Sequence, residues 1–179
     1  MREDISCREK YKRITETLIR ENIQITAMES CTAGSIISLL ADTEGASAVI
    51  KGAYVTYSNA AKLMCGVPQD VISTYGVYSQ QTARAMARAC IRAFNADIGI
   101  GITGSFANAD PANEDSVPGE IYFSIIYDKV YDFHIEKLYE KDRHIAKMTA
   151  AEHVADELLG ILRQRRKMPD APQHKMIFK

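Results

Sequence analysis

The sequence predicts an α/β domain in which helices cover both faces of a mixed, mostly parallel sheet that ends in an antiparallel hairpin. Three observations predict it. Short runs of β-formers alternate with helical patterns through the first two thirds of the chain. Asp97-Ile98-Gly99-Ile100-Gly101-Ile102-Thr103 alternates Ile with Gly, as a strand does where a helix backbone packs close to it. Glu120 to Tyr127 and Val130 to Tyr139 are β-rich and join through Asp128-Lys129, the pattern of a hairpin.

The elements follow in order. Cys7, Tyr11, Ile14 and Leu18 recur at helical spacing and predict an amphipathic outer helix over about residues 4 to 20. Ile23 to Met28 reads as a strand, and Thr32 to Asp42 as a buried helix carrying Ile36, Ile37, Leu39 and Leu40, closed by a turn at Gly45. Residues 48 to 57 are rich in β-formers, and Ser58 is placed to cap a short helix bearing Lys62. Pro68 and Gly76 punctuate a connecting segment. Ser79 opens the most regular helix, with Ala83, Met86 or Ala87, Cys90 and Phe94 inward and Arg84, Arg88 and Arg92 on another face, where a row of charge reads as a solvated surface. Asp142 caps a last helix whose apolar set is Ile145, Met148, Ala151, Ala155, Leu158 and Leu162. One domain over residues 1–165 is expected, with 166–179 as a mobile tail.

Composition bounds the function. The chain has 179 residues, 46% of them apolar, and its 22 basic and 23 acidic residues nearly cancel, so charge makes no case for a nucleic-acid partner. Cys7, Cys31, Cys65 and Cys90 are far apart with no Cys-x-x-Cys pair, which argues against a disulfide framework or zinc knuckle. No apolar run approaches the roughly 18 residues of a membrane span, and no secretory segment opens the sequence, so a cytoplasmic setting is expected.

Parallel strands bind ligands beyond their carboxyl ends. Three such junctions carry polar side chains: Glu29 to Gly34, Tyr57 to Lys62, and Thr103 onward. If the three strands are adjacent, these segments meet in one crevice. Ser30 there lies beside helix amides able to hold an oxyanion, and Lys62, with a pKa lowered by burial, or Tyr57 paired with it, would take its proton. Each residue also has a plainer reading. Ser30 or Thr32 can cap a helix, Tyr57 can pack, Lys62 can be solvated, and Cys31 can be a buried hydrophobe. Glu29 can cap, orient Lys62 or bind a ligand hydroxyl. None of the four histidines falls at a strand-to-helix turn, so no Ser-His-Asp triad is indicated.

Several ordered motifs carry a resemblance: Glu29-Ser30-Cys31-Thr32, Gly45-Ala46-Ser47, Tyr57-Ser58-Asn59 followed by Lys62, Gly66-Val67-Pro68, Gly76-Val77-Tyr78-Ser79, Thr103-Gly104 and Asp142-Arg143. From Ile25 to the last helix the chain resembles the CinA C-terminal domain family, the nicotinamide-nucleotide amidases, in a stand-alone form. The resemblance implies a three-layer α/β/α domain that recycles pyridine nucleotides by hydrolysing the carboxamide of nicotinamide mononucleotide to nicotinate mononucleotide and ammonia, without a metal or cofactor. It implies Ser30 as nucleophile, activated by Lys62 and Tyr57. Substrate-binding positions would be Glu29, Thr32, Gly34, Asn59, Thr103, Gly104 and Arg143. The implied partner is a small nucleotide, with no nucleic acid and no membrane, and with room for a homo-oligomer. Two departures stand out. The usual Gly-rich loop reads Gly104-Ser105-Phe106-Ala107-Asn108-Ala109-Asp110-Pro111, and Ala33 stands where a first glycine is usual. Lost glycines remove access to positive φ and add Cβ atoms near a ligand. A catalytically altered or inactive paralogue that binds a small nucleotide or regulates is therefore the alternative expectation.

Overall fold

The structure is a computed structural model and describes residues 6–114 and 116–166. The tail expected to be mobile lies, from residue 167 on, outside them. Five strands form one sheet in the order β2-β1-β3-β4-β5, with β1 (Ile25–Glu29) parallel to both β2 (Ile50–Val55) and β3 (Ile98–Gly104). β4 (Ile121–Tyr127) runs antiparallel to β3 and to β5 (Lys129–Ile135). This is the expected mixed sheet, with helices on both faces.

The two faces are set by strand periodicity, since successive side chains point to opposite sides. Ile98, Ile100 and Ile102 join Ile25 and Ala27 in a core covered by α1 (Cys7–Glu21), α2 (Ser35–Ala41) and α6 (Arg143–Arg166). Gly99 and Gly101 face the other way, onto α5 (Gln80–Phe94). A Cβ on Gly101 would lie 2.0 Å from the Ala83 carbonyl oxygen, so glycine here lets the α5 backbone lie directly on the strand. On this side Met28 packs with Met86, Ala89 and Cys90.

Helix ends follow local chemistry. Ser6 caps α1 by accepting from the Glu9 amide, and Asn22, at φ 53°, closes it. Ser58 accepts from the Ala61 amide and starts α3 (Asn59–Met64), and Ser79 accepts from the Thr82 amide and starts α5. The Asp142 carboxylate accepts from the His144 and Ile145 amides at the head of α6.

Four expectations are corrected. Residues Gln69–Tyr75, read as a connector, form α4 between Pro68 and Gly76; seven residues make too few turns to display a period. The helix expected from Thr32 begins at Ser35, because Ala33 (φ 51°) and Gly34 (φ 90°) are left-handed and hold the preceding residues in a turn. β5 stops at Ile135 instead of Tyr139; Lys137 turns the chain at φ 60° and Leu138 returns to the core. Ile145 is 50% exposed, since the buried stripe of α6 runs one residue later through Ala146 and Ala150. Phe94 faces inward as expected, half-buried beneath Gly52 and packed on the cluster around Met28 and Met86. The arginine row is a surface: Arg84 pairs with Asp132, Arg92 reaches the Gly66 carbonyl, and Arg88 is exposed.

Gly101→Ala is expected to lower the free energy of unfolding by about 3 kcal/mol or more, the upper range for overpacking a close contact. Gly160→Ala is its control, because a Cβ there meets nothing within 4 Å. In the α6 interior that change should stabilise by about 0.5–1 kcal/mol. Urea unfolding of both variants checks the pair.

Candidate active site

β1 ends in Glu29, whose side chain is fully buried. Its Oε2 accepts from the amides of Gly34 (3.0 Å) and Ile36 (3.1 Å), and its Oε1 from Ile37 (2.9 Å). A carboxylate at a helix N-terminus satisfies otherwise orphaned donors and meets the positive end of the helix dipole. Two expectations change with it. Glu29 is a cap and does not line the crevice, and the amides of Gly34, Ile36 and Ile37 are occupied and are not an oxyanion cradle. The amides nearest Ser30 on the turn are those of Cys31 and Thr32, which lie against the Cys31 sulfur.

The turn that Glu29 holds presents Ser30, 6% exposed, to a lysine from the next junction. Lys62 sits in the last turn of α3 at 2% exposure, and its Nζ donates to the Thr56 carbonyl (2.9 Å) and to Ser30 Oγ (3.1 Å). Burial draws the Lys62 pKa down from the ordinary 10.5 to about 8, against smaller opposing effects of Cys31 and Asp110. Near pH 8, therefore, a large fraction of the lysine is neutral and able to accept the serine proton. Cys31, beside Ser30, is pushed by burial up to about 12 and stays a thiol, so it is no rival nucleophile at neutral pH.

These side chains open into a cavity of about 440 Å³. The junctions after β1, β2 and β3 all reach it, as adjacency of the three strands requires. Ser30, Tyr57, Asn59, Lys62, Gly104 and Arg143 line it. Glu29, Thr32, Gly34 and Thr103 lie outside the lining, and Glu29, Gly34 and Thr103 have structural places instead. Thr32 is fully buried with its hydroxyl unpartnered, Gly34 supplies the left-handed turn and an amide for Glu29, and Thr103 donates to the Val77 carbonyl at 3.0 Å. Tyr57 is 60% exposed, and its hydroxyl accepts from Arg143 Nη2 at 2.7 Å, not from Lys62 or Ser30. Its expected part in activating the serine therefore has no hydrogen bond behind it; Tyr57 holds Arg143 at the mouth. The Arg143 guanidinium also stands 5.8 Å from the centre of the Phe106 ring.

The far wall is the loop that follows Gly104, whose residues gave no role in the sequence. The Asp110 carboxylate accepts from Tyr78 Oη (2.5 Å), Asn113 Nδ2 (2.6 Å) and the Ala112 amide (3.0 Å). Asn59 Nδ2 donates to Asn113 Oδ1 at 2.7 Å and ties this loop to the head of α3. These bonds hold the Asp110 carboxyl below the usual carboxylate range, the Tyr78 hydroxyl contributing most. Tyr78 belongs to the Gly76-Val77-Tyr78-Ser79 motif, and the sequence marks the loop itself by its departure from the Gly-rich pattern and its run of Asn, Asp and Pro. Apart from Gly104 and Gly119, none of its described residues needs a positive φ. The missing glycines therefore cost the loop no backbone strain, whereas Ala33 does occupy the left-handed region.

The four cysteines are free thiols. Among the described residues no cluster of three or more His, Cys, Asp or Glu is placed to hold a metal, and no helix is long and apolar enough to cross a membrane.

Fold and site together define a three-layer α/β domain with a buried serine–lysine pair at the carboxyl edge of its parallel strands. The CinA C-terminal domain model matches residues 8–162, and the chain belongs to that family. A competence-damage inducible protein of Limosilactobacillus reuteri is 42% identical over 94 residues, covering 52% of this chain and 23% of that protein. A CinA-like protein of a Mycobacterium species is 44% identical over 81 residues, covering 45% and 19%. The matched region thus spans about a quarter or less of the length of these relatives. The crystal structure of a CinA superfamily protein from Enterobacter cloacae superposes with a TM-score of 0.81 at 24% identity, covering 90% of this chain and 95% of that one, and shows the shared fold. The competence/damage inducible protein of Agrobacterium tumefaciens gives a TM-score of 0.78 at 25% identity, covering 88% and 95%.

Burying an ammonium penalises the charged form in the folded state only. Below pH 8 both states are protonated and the penalty is complete; it fades as pH rises from about 8 towards 10.5, where the unfolded state also loses its proton. At about 1.4 kcal/mol per pKa unit the penalty is roughly 3 kcal/mol, reduced in a variant by about 1 kcal/mol for the lost hydrogen bond to Thr56. Lys62→Met is therefore expected to be more stable than the wild type at pH 7, with the difference shrinking between pH 8 and 10.5. Paired urea unfolding across this range checks it, and a pH-independent difference would show a normally titrating lysine.

Proposed function

We propose that the chain is an amidohydrolase that removes the carboxamide nitrogen of nicotinamide mononucleotide, giving nicotinate mononucleotide and ammonia. One observation carries the reading: a buried lysine with a pKa near 8 lies 3.1 Å from a serine hydroxyl that faces a cavity. Neutral Lys62 takes the Ser30 proton as Oγ attacks the carboxamide carbon. The attack leaves the negative charge of the tetrahedral intermediate on the former carboxamide oxygen. Protonated Lys62 then gives its proton to the departing nitrogen, which leaves as ammonia. In the second half Lys62 takes a proton from water, the hydroxide displaces Ser30 Oγ from the acyl ester, and the proton returns to the serine.

The substrate class draws on membership of a family in which some proteins are nicotinamide-nucleotide amidases. It also draws on Arg143, a guanidinium at the cavity mouth suited to a 5′-phosphate. The cavity volume lies within the usual range for a small-molecule site. A second reading, a nucleotide binder without turnover, is favoured by one feature: Asp110 stabilises the protonated form of Lys62 and so opposes its use as a base.

A coupled assay for ammonia release separates the two, since a binder gives a thermal shift with nicotinamide mononucleotide and no ammonia. For the amidase, kcat/KM should rise with pH through a midpoint near 8, because only neutral Lys62 accepts the proton. Ser30→Ala should abolish turnover with the fold intact. Lys62→Met should lose at least about a hundredfold, the low end for general acid–base participation. A Ser30→Ala protein that keeps most of the rate removes Ser30 as nucleophile.

A further inference from the structure

Among the described residues that line the cavity, three carry charge: Lys62, Asp110 and Arg143. When Lys62 is neutral, as its proposed role requires, the wall keeps one anion, Asp110, and one cation, Arg143, at different places. Arg143 belongs to the mouth, bonded to Tyr57. Asp110 belongs to the loop facing Lys62 and is fixed by Tyr78, Asn113 and the Ala112 amide. All three partners donate, so the carboxylate is held ionised and in one orientation; Oδ2 takes two of these bonds, and Oδ1, with one, retains acceptor capacity. The Tyr78 phenol that donates to this carboxylate also lines the cavity. An electrically neutral wall with separated opposite charges complements a ligand that is itself a zwitterion.

Resting on the proposed reaction, we infer that Asp110 is a specificity-determining residue that selects substrates whose carboxamide is borne by a positively charged ring. The N1-substituted pyridinium of nicotinamide mononucleotide is such a ring, and its phosphate is the matching anion for Arg143. A carboxylate that answered only Lys62 would not distinguish ring charge in the ligand. A carboxylate that answers the ring must do so.

The test compares ligands that differ in ring charge. Nicotinamide mononucleotide and its reduced form share phosphate, ribose and carboxamide, but the reduced ring is neutral; 1-methylnicotinamide and nicotinamide form the same contrast without a nucleotide. Dissociation constants measured by calorimetry at pH 8.5 should favour each cationic member in the wild type, by at least about tenfold for the mononucleotides, as a charge pair at the edge of solvent allows. Asp110→Asn should reduce the preference to below about threefold by weakening the cationic ligands alone. Asp110→Glu, which keeps the charge, should retain most of it, and the unliganded melting midpoints report whether the loop has held. Equal binding of both mononucleotides by the wild type overturns the inference and leaves the proposed substrate standing. Selection of 1-methylnicotinamide over nicotinamide through Asp110, with no mononucleotide bound, supports the inference and removes that substrate. Equal loss of preference in Asp110→Asn and Asp110→Glu with unchanged melting overturns it, and so does the absence of binding by all four ligands.

Discussion

The site depends on the carboxylate of Glu29. Three backbone amides of the following helix converge on its two oxygens, and the bonds span the turn from Cys31 to Gly34. That turn is otherwise expensive, because Ala33 adopts a left-handed conformation that costs an alanine on the order of 1 kcal/mol. The buried carboxylate offsets this cost and fixes where Ser30 points. The backbone of the same residue accepts from the Thr56 amide, which locks the end of β2 beside it. Thr56 in turn receives Lys62 through its carbonyl. One residue thus sets the relative position of the serine and the lysine through two parallel strands, although it touches neither the cavity nor, through its carboxylate, either side chain.

The pair it positions works against stability. A lysine at 2% exposure with no carboxylate bonded to its ammonium among the described residues is an unfavourable burial, and the response is a pKa drawn towards neutrality. A group that had only to hold the fold together would be better replaced by a hydrocarbon. Retention of an amine there is understandable as the cost of a base usable near neutral pH, which is how burial is commonly put to use in active sites. Asp110 moderates this burial from across the cavity, so the loop that forms the far wall also adjusts the lysine.

Much of the fold was readable because it rests on periodicities. The Ile/Gly alternation of β3 encodes both layers at once, with isoleucines for one and room for the α5 backbone on the other, and the polar ends of β1, β2 and β3 marked the crevice. Residue type and junction made Ser30 and Lys62 candidates beside plainer readings, and the family resemblance singled them out. What escaped was set by interactions without a period. Helix α4 has fewer than two full turns, and the inward stripe of α6 is decided by alanines that carry little hydrophobic signal beside Ile145. Glu29 finds its partners in backbone amides, which every residue has, so nothing in the sequence separates a cap from a ligand contact. Tyr57 sits at the expected position, but its side chain turns to Arg143, and a position does not specify a rotamer. Asp110 lies in a loop where hydrogen bonds to Tyr78 and Asn113 replace any repeating pattern.

The central claim is that the fold holds Lys62 against Ser30 with its pKa lowered to about 8, so that a usable fraction of the amine is neutral near that pH. Its most direct test is the titration of the Lys62 side chain itself, followed by heteronuclear NMR in protein labelled at lysine and assigned by comparison with Lys62→Met. A midpoint near pH 8 in the folded protein, moving upward in the unfolded chain, is the predicted result. A midpoint at the ordinary value of 10.5 in the folded protein would contradict it, and with it the use of this lysine as the base.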